Sequence, residues 1–157
     1  MIQLETTPKD TNGNWSNKSL ELATFYIGDA LCGINILQIL EINKHLDLTP
    51  APQAPDYVKG LLNLRGQIVT VIELAQKIGF CSAELTDKTR NIIVNSKGEH
   101  IGFLVEKIGD VIGVDWAKVE MPPANISGFQ GKFFKGVVEA KEKLIGIIDI
   151  EAVLEED

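Results

Sequence analysis

The chain has 157 residues, 45% of them apolar, which supports one compact domain or two small subdomains sharing a core and excludes a disordered chain. Its net charge is −7, from 15 basic and 22 acidic residues, and it has no basic stripe. That balance excludes a nucleic-acid binder, whose phosphate contacts need clustered Lys and Arg, and disfavours binding to an anionic membrane surface. The N-terminus lacks the apolar core of a signal peptide, and no apolar run reaches the length of about 20 residues that a membrane span needs. A cytoplasmic protein is the default expectation. Cys32 and Cys81 leave one disulfide open but make no disulfide framework; Cys32, in an apolar strand, reads as a small buried hydrophobe.

Residues 1–19 read as a tail of turn chemistry, with Trp15 the one residue suited to docking on the body; the folded domain is expected over residues 20–157. Leu20 to Ile27 alternates as a strand, with Ala23, Phe25 and Ile27 on one face and Leu22, Thr24 and Tyr26 on the other. Gly28-Asp29 turns the chain into a second strand, Leu31 to Ile34. The stretch Ile36 to Ile42 fits helix or strand; the assignment is a helical turn near Ile36–Ile39 capped by Asn35, then a strand through Glu41 and Ile42. Pro50, Pro52 and Pro55 demand an extended loop.

Lys59 to Gly79 is the most ordered-looking stretch. Leu61, Leu62 and Leu64 read as a strand. Arg65-Gly66-Gln67 is a tight turn in which Gly66 takes positive φ, and Ile68, Val69, Val71 and Ile72 form the return strand. A short helix follows from Glu73 through Ile78, with Gly79 past its end. After a polar linker, Asn91 to Val94 and Ile101 to Val105 form a hairpin about Lys97-Gly98, and Val111 to Val114 is a further strand. Pro122-Pro123 opens a loop. Phe133 to Ala140 and Leu144 to Ile148 form the last hairpin, and Asp149 caps a short helix through Leu154.

The order of elements contains an echo. Lys59-Gly60 corresponds to Lys135-Gly136, and Ile68, Val69, Val71 and Ile72 then fall on Leu144, Ile145, Ile147 and Ile148. Gly33, Ile39, Glu41 and Ile42 fall likewise on Gly102, Ile108, Asp110 and Val111. Two such matches in the same order indicate a duplicated β unit. The copies differ at the turn: Asn63 and Arg65 fall on Glu139 and Lys141.

Catalytic chemistry is not supported. His45 and His100, read as loop and turn residues, fit no metal motif, and phosphate-binding loops and nucleophile elbows are absent. The expectation is a non-enzyme with no metal and no cofactor. Arg65 stands out beside a tight turn between apolar strands, where a planar guanidinium is placed to bind a partner's carboxylate or carbonyls, with Glu41 as its intramolecular partner. Ile39, Leu61, Leu62 and Val71 are candidates for apolar surface beside it, or for core.

The run Val58-Lys59-Gly60-Leu61-Leu62-Asn63-Leu64-Arg65-Gly66-Gln67-Ile68-Val69-Thr70-Val71-Ile72-Glu73-Leu74 resembles the CheW-type chemotaxis coupling proteins. Phe25 to Ile34, Gln38 to Ile42 and Gly136 to Leu154 support the match, which extends from Leu20 to Leu154. The resemblance implies a mainly β fold of two intertwined, SH3-like, five-stranded β-barrels with short helices. It implies a cytoplasmic, non-enzymatic adaptor in receptor arrays, joining the signalling tip of methyl-accepting chemotaxis receptors to the regulatory domain of the histidine kinase CheA. By matching position, Ile39, Glu41, Gly60, Asn63 and Arg65 are the implied receptor-binding residues, and Ile126 the implied kinase-binding residue. Thr70, Glu73, Ala75 and Arg90 depart from the usual family residues, and Ala75 and Arg90 bear on which receptor is the partner. The alternatives are a coupling protein of a non-chemotactic chemosensory pathway and a small β-barrel ligand-binding module.

Overall fold

The computed structural model describes residues 19–79, 85–126 and 129–155, which hold twelve strands and two short helices. In chain order they are β1 (Ser19–Ile27), β2 (Ala30–Asn35), β3 (Ile39–Asn43), β4 (Val58–Leu64), β5 (Gln67–Glu73), α1 (Leu74–Lys77), β6 (Arg90–Ser96), β7 (Glu99–Val105), β8 (Lys107–Asp115), β9 (Asn125–Ile126), β10 (Phe129–Gln130), β11 (Phe134–Ala140), β12 (Lys143–Ile148) and α2 (Ile150–Leu154). The expected tail through residue 18, with Trp15, lies outside the described residues, as does Cys81. Ser19 already belongs to β1, pairing with Asp115.

The stretch that fits helix or strand resolves as assigned. A 3-10 turn covers Ile36–Gln38, the Asn35 side chain accepts a hydrogen bond from the Leu37 N–H, and β3 follows at Ile39. Asp149 caps α2 in the same way, accepting from the Ala152 N–H. Such side-chain acceptors satisfy N–H groups that the first turn of a helix leaves unpaired.

Two five-stranded sheets carry the fold, one in the order β11-β12-β2-β1-β8 and the other β3-β6-β7-β5-β4. The expected barrels are not formed. β4 pairs within its sheet only with β5 and β3 only with β6, so the edges of that sheet share no backbone ladder; the same holds for β8 and β11. The reason lies in the connection from β3 to β4. Thr49 lies along the free edge of β4, exchanging backbone hydrogen bonds with Leu61 (2.8 and 2.6 Å). Pro50 and Pro52 then remove the donors that would extend this contact into a ladder. The segment between β8 and β11 does likewise, as Glu120 exchanges two bonds with Val137.

The sequence echo is a structural duplication. The parallel pair Val71↔Gly102 in β5–β7 has its counterpart in Ile147↔Gly33 in β12–β2. A register shift between Val58 and Gly60 in β4 recurs between Phe134 and Gly136 in β11. The Glu73 N–H bond to the Tyr57 carbonyl recurs from Asp149 to Phe133. The two halves are interleaved: each sheet pairs the first two strands of one half with the third strand and the hairpin of the other.

This arrangement makes three cores. A central cluster between the sheets holds Phe25, Ile34, Ile72, Leu74, Ile92, Phe103, Phe134, Ile148 and Val153 with both helices. Leu22, Ile112, Val138, Ile145 and Ile147 fill the other face of the first sheet, and Val69, Val71, Ile93 and Leu104 that of the second. Strands buried on both faces explain the near-continuous apolar runs of β2, β5 and β12. Cys32 lies in the central cluster, where burial pushes its thiol up to about 12, so it behaves as a small hydrophobe.

Candidate functional site

Glu41 lies in the edge strand β3 and Arg65 in the turn between β4 and β5 at the other side of the second sheet, yet the Arg65 guanidinium donates to the Glu41 carboxylate at 2.6 Å. The sheet therefore curls until side chains span the gap its backbone leaves open. Arg65 is 73% exposed at the side chain and Glu41 24%, so the pair faces solvent from the arginine side. The second Glu41 oxygen accepts from the Asn43 side chain at 2.9 Å. These two hydrogen bonds, that from Asn43 first, hold the Glu41 carboxyl below its ordinary range. Glu41 and Asn43 alternate along β3 and share a face, the period-two signal by which Asn43 was legible but went unread.

The hairpin that carries Arg65 is built by its neighbours. Arg65 (φ 52°) and Gly66 (φ 85°) are the two loop residues, flanked by the pair Leu64↔Gln67. Positive φ at both loop positions is the turn whose twist matches that of the strands. The Asn63 side chain accepts from the Gly66 N–H at 3.0 Å and so locks the turn. Asn63 thus acts on the turn that aims Arg65.

Of the other residues expected here, Ile39 is half-buried at the start of β3 and packs on the central core. Gly60 is buried. At φ 151°, a Cβ there would lie 2.7 Å from the Thr49 carbonyl oxygen, so it holds the β4 edge and offers no side surface. A shallow recess of about 200 Å³ beside Arg65 is lined by Leu40, Leu64, Gln67, Ile93 and His100. His100 is therefore a half-buried strand residue beside the site, where a turn position was expected. Ile42 and Ile68 stand exposed on the same sheet, at 39% and 60%. Val71 is core, and Leu61 and Leu62 are half-buried.

Ile126 lies in β9, paired with Phe129; its side chain is outside the described residues. Ala75 is buried in the central core and presents nothing to a partner. Arg90 folds back, donating to the carbonyls of Asp87 and Thr89 at 2.8 Å each. Among the described residues no group of His, Cys, Asp and Glu could hold a metal ion. No helix among them is long and apolar enough to cross a membrane.

An exposed arginine held by a carboxylate thus stands at one end of the second sheet, beside a shallow recess lined in part by Leu40 and Leu64. The model of the CheW-like domain matches residues 21–157 of the chain. The chain is 32% identical over 139 residues to the chemotaxis protein CheW of Treponema pallidum, covering 86% of this chain and 82% of that one. It is 31% identical over 140 residues to the chemotaxis protein CheW of Thermotoga maritima, covering 88% and 90%. The crystal structure of the scaffolding protein TtCheW from Thermoanaerobacter tengcongensis superposes with a TM-score of 0.81 at 28% identity, covering 88% of this chain and 89% of that one. The chain belongs to the CheW family, and it is a non-enzymatic adaptor of chemotaxis.

Proposed function

We propose that the chain couples chemotaxis receptors to the kinase CheA by binding the receptor signalling tip at the Arg65 face and the regulatory domain of CheA through the loop that carries Ile126, in the cytoplasm beneath receptor arrays. The observation that carries the receptor assignment is the Arg65–Glu41 pair. An exposed ion pair contributes only about 0–1 kcal/mol of stability, so the fold has little use for it. Its geometry leaves guanidinium donors free of Glu41 and pointing outward, suited to carboxylate or carbonyl groups of a partner. Ile39 supports β3 beneath the pair, while Asn63 and Gly60 hold the hairpin and its edge; their contribution to binding is indirect.

The test is co-sedimentation of the protein with a receptor signalling-tip fragment and, separately, with the CheA regulatory domain. Arg65→Ala is expected to leave circular dichroism unchanged and to weaken receptor binding by about tenfold or more, as truncation of an interface arginine does. Kinase-domain binding is expected to be unaffected. Receptor affinity equal to that of the parent protein would remove Arg65 from the interface.

A further inference from the structure

The duplication identifies a second polar site, at the place in the first sheet that corresponds to the Arg65 end of the second. There the Lys107 ammonium lies 4.8 Å from the centre of the Tyr26 ring, and the Lys143 ammonium 5.8 Å from the same ring. Lys143 also donates to the Tyr26 hydroxyl at 3.2 Å. Neither lysine forms an ion pair among the described residues. Two ammonium groups thus converge on one phenol in a chain whose net charge is −7. Cation–π attraction to the half-buried ring offsets some of the like-charge cost but leaves the charge itself uncompensated.

The fold does not require these charges. By strand register, Tyr26 pairs with Leu31 as Asn95 pairs with His100, and Lys143 follows its hairpin turn as Gln67 follows its own. Lys107 precedes Ile108 as Gln38 precedes Ile39, and those isoleucines pair with Phe25 and Val94. The β6–β7 hairpin and its neighbours in the second sheet therefore build the same end of a sheet from neutral amides. Beside the ring a recess of about 390 Å³ is bordered by a third cation, Lys88, together with Asp29 and Glu106. Glu106 is already engaged, accepting from the Gly28 N–H at 2.8 Å.

We propose that Tyr26, Lys107 and Lys143 form a docking point for an acidic segment of a partner protein, whose carboxylates bridge the two ammonium groups across the ring. The ring fixes both lysines before binding, so little side-chain entropy is lost when the carboxylates arrive. The site is independent of the Arg65 face.

The experiment is fluorescence anisotropy of a labelled eight-glutamate peptide titrated with the full-length protein. Binding is expected for the parent chain and to fall steeply as ionic strength rises from about 0.05 to about 0.5 M. The double variant Lys107→Gln/Lys143→Gln, which installs the residues of the other half at exposed positions, is expected to bind at least about tenfold more weakly with unchanged circular dichroism. Arg65→Ala is expected to bind the peptide as the parent does. Absence of binding by the parent, or equal binding by the double variant, would overturn the proposal. So would a response to inorganic pyrophosphate without a response to the peptide, since that marks a small-anion site.

Discussion

Glu41 holds the Arg65 guanidinium in place, and its protonation state decides whether it can. Asn43 and Arg65 both hydrogen-bond the charged carboxylate and depress its pKa in the folded protein. A carboxyl depressed in this way contributes its full effect above the unfolded value of about 4.3, and loses it as pH falls through the lower folded value. Receptor-fragment affinity is therefore expected to stay level from neutral pH through the ordinary glutamate range and to drop only below it. Glu41→Gln is expected to lose that acid limb. Both profiles are measurable by titration calorimetry; a break in the parent profile at the ordinary glutamate value would show that Glu41 does not carry the effect. At this scale the sequence was partly legible. Arg65 and Glu41 stand out because charge is rare in a strand with apolar neighbours. Asn43 lies one residue past the strand expected through Ile42, and Gly60 reads as a contact residue by family resemblance, because its proximity to Thr49 comes from a connection whose path no local pattern encodes.

Hairpins were legible from their alternating apolar strands, with or without a glycine in the turn. Three turns share positive φ at both loop residues: Arg65-Gly66, Lys97-Gly98 and Lys141-Glu142. The first two have a glycine and an asparagine whose side chain accepts from the glycine N–H. The third has neither; the strands that flank it, Phe133 to Ala140 and Leu144 to Ile148, and the duplication mark it as the equivalent corner. Glu142, at φ 64°, carries the left-handed strain that Gly66 avoids. Glu142→Gly is expected to stabilise the protein by about 0.5–1 kcal/mol, net of the extra chain entropy of glycine, because the left-handed region disfavours a Cβ. The rise in melting midpoint is expected to be about 1–4 °C for a chain of this size. Gly66→Ala, with nothing within 4 Å of the added methyl, is the reciprocal control and is expected to lower it. Barrel closure was the element-scale expectation that failed: the edges are occupied by the connections that carry Thr49 and Glu120, and a family resemblance says nothing of how those connections pair.

At the scale of the molecule, interleaving makes the two sheets one cooperative unit. β1 and β2 lie between β8 and β12, and β6 and β7 between β3 and β5, so neither half can complete a sheet without the other. The central cluster is shared as well, with Phe25 and Ile34 from one half packed among Phe103 and Phe134 from the other. Local opening of one sheet would expose that cluster, which ties its free energy to global unfolding. Ile93 tests the coupling, since it is 1% exposed in the cluster on the face of the second sheet away from the central core and makes no part of the first sheet. Ile93→Ala removes buried methyl groups and is expected to cost about 2–5 kcal/mol. If the sheets unfold together, the slowest-exchanging amides of β1, β2 and β12 lose as much protection as those of β6 and β7. Hydrogen exchange resolved by strand measures both. Protection kept in the first sheet while it falls in the second would mean that the sheets open separately, and that the shared cluster does not couple them. Equal loss would mean that a partner bound on the Arg65 face stabilises the Tyr26 end as well, because a ligand that binds only the folded state stabilises every element that unfolds with it.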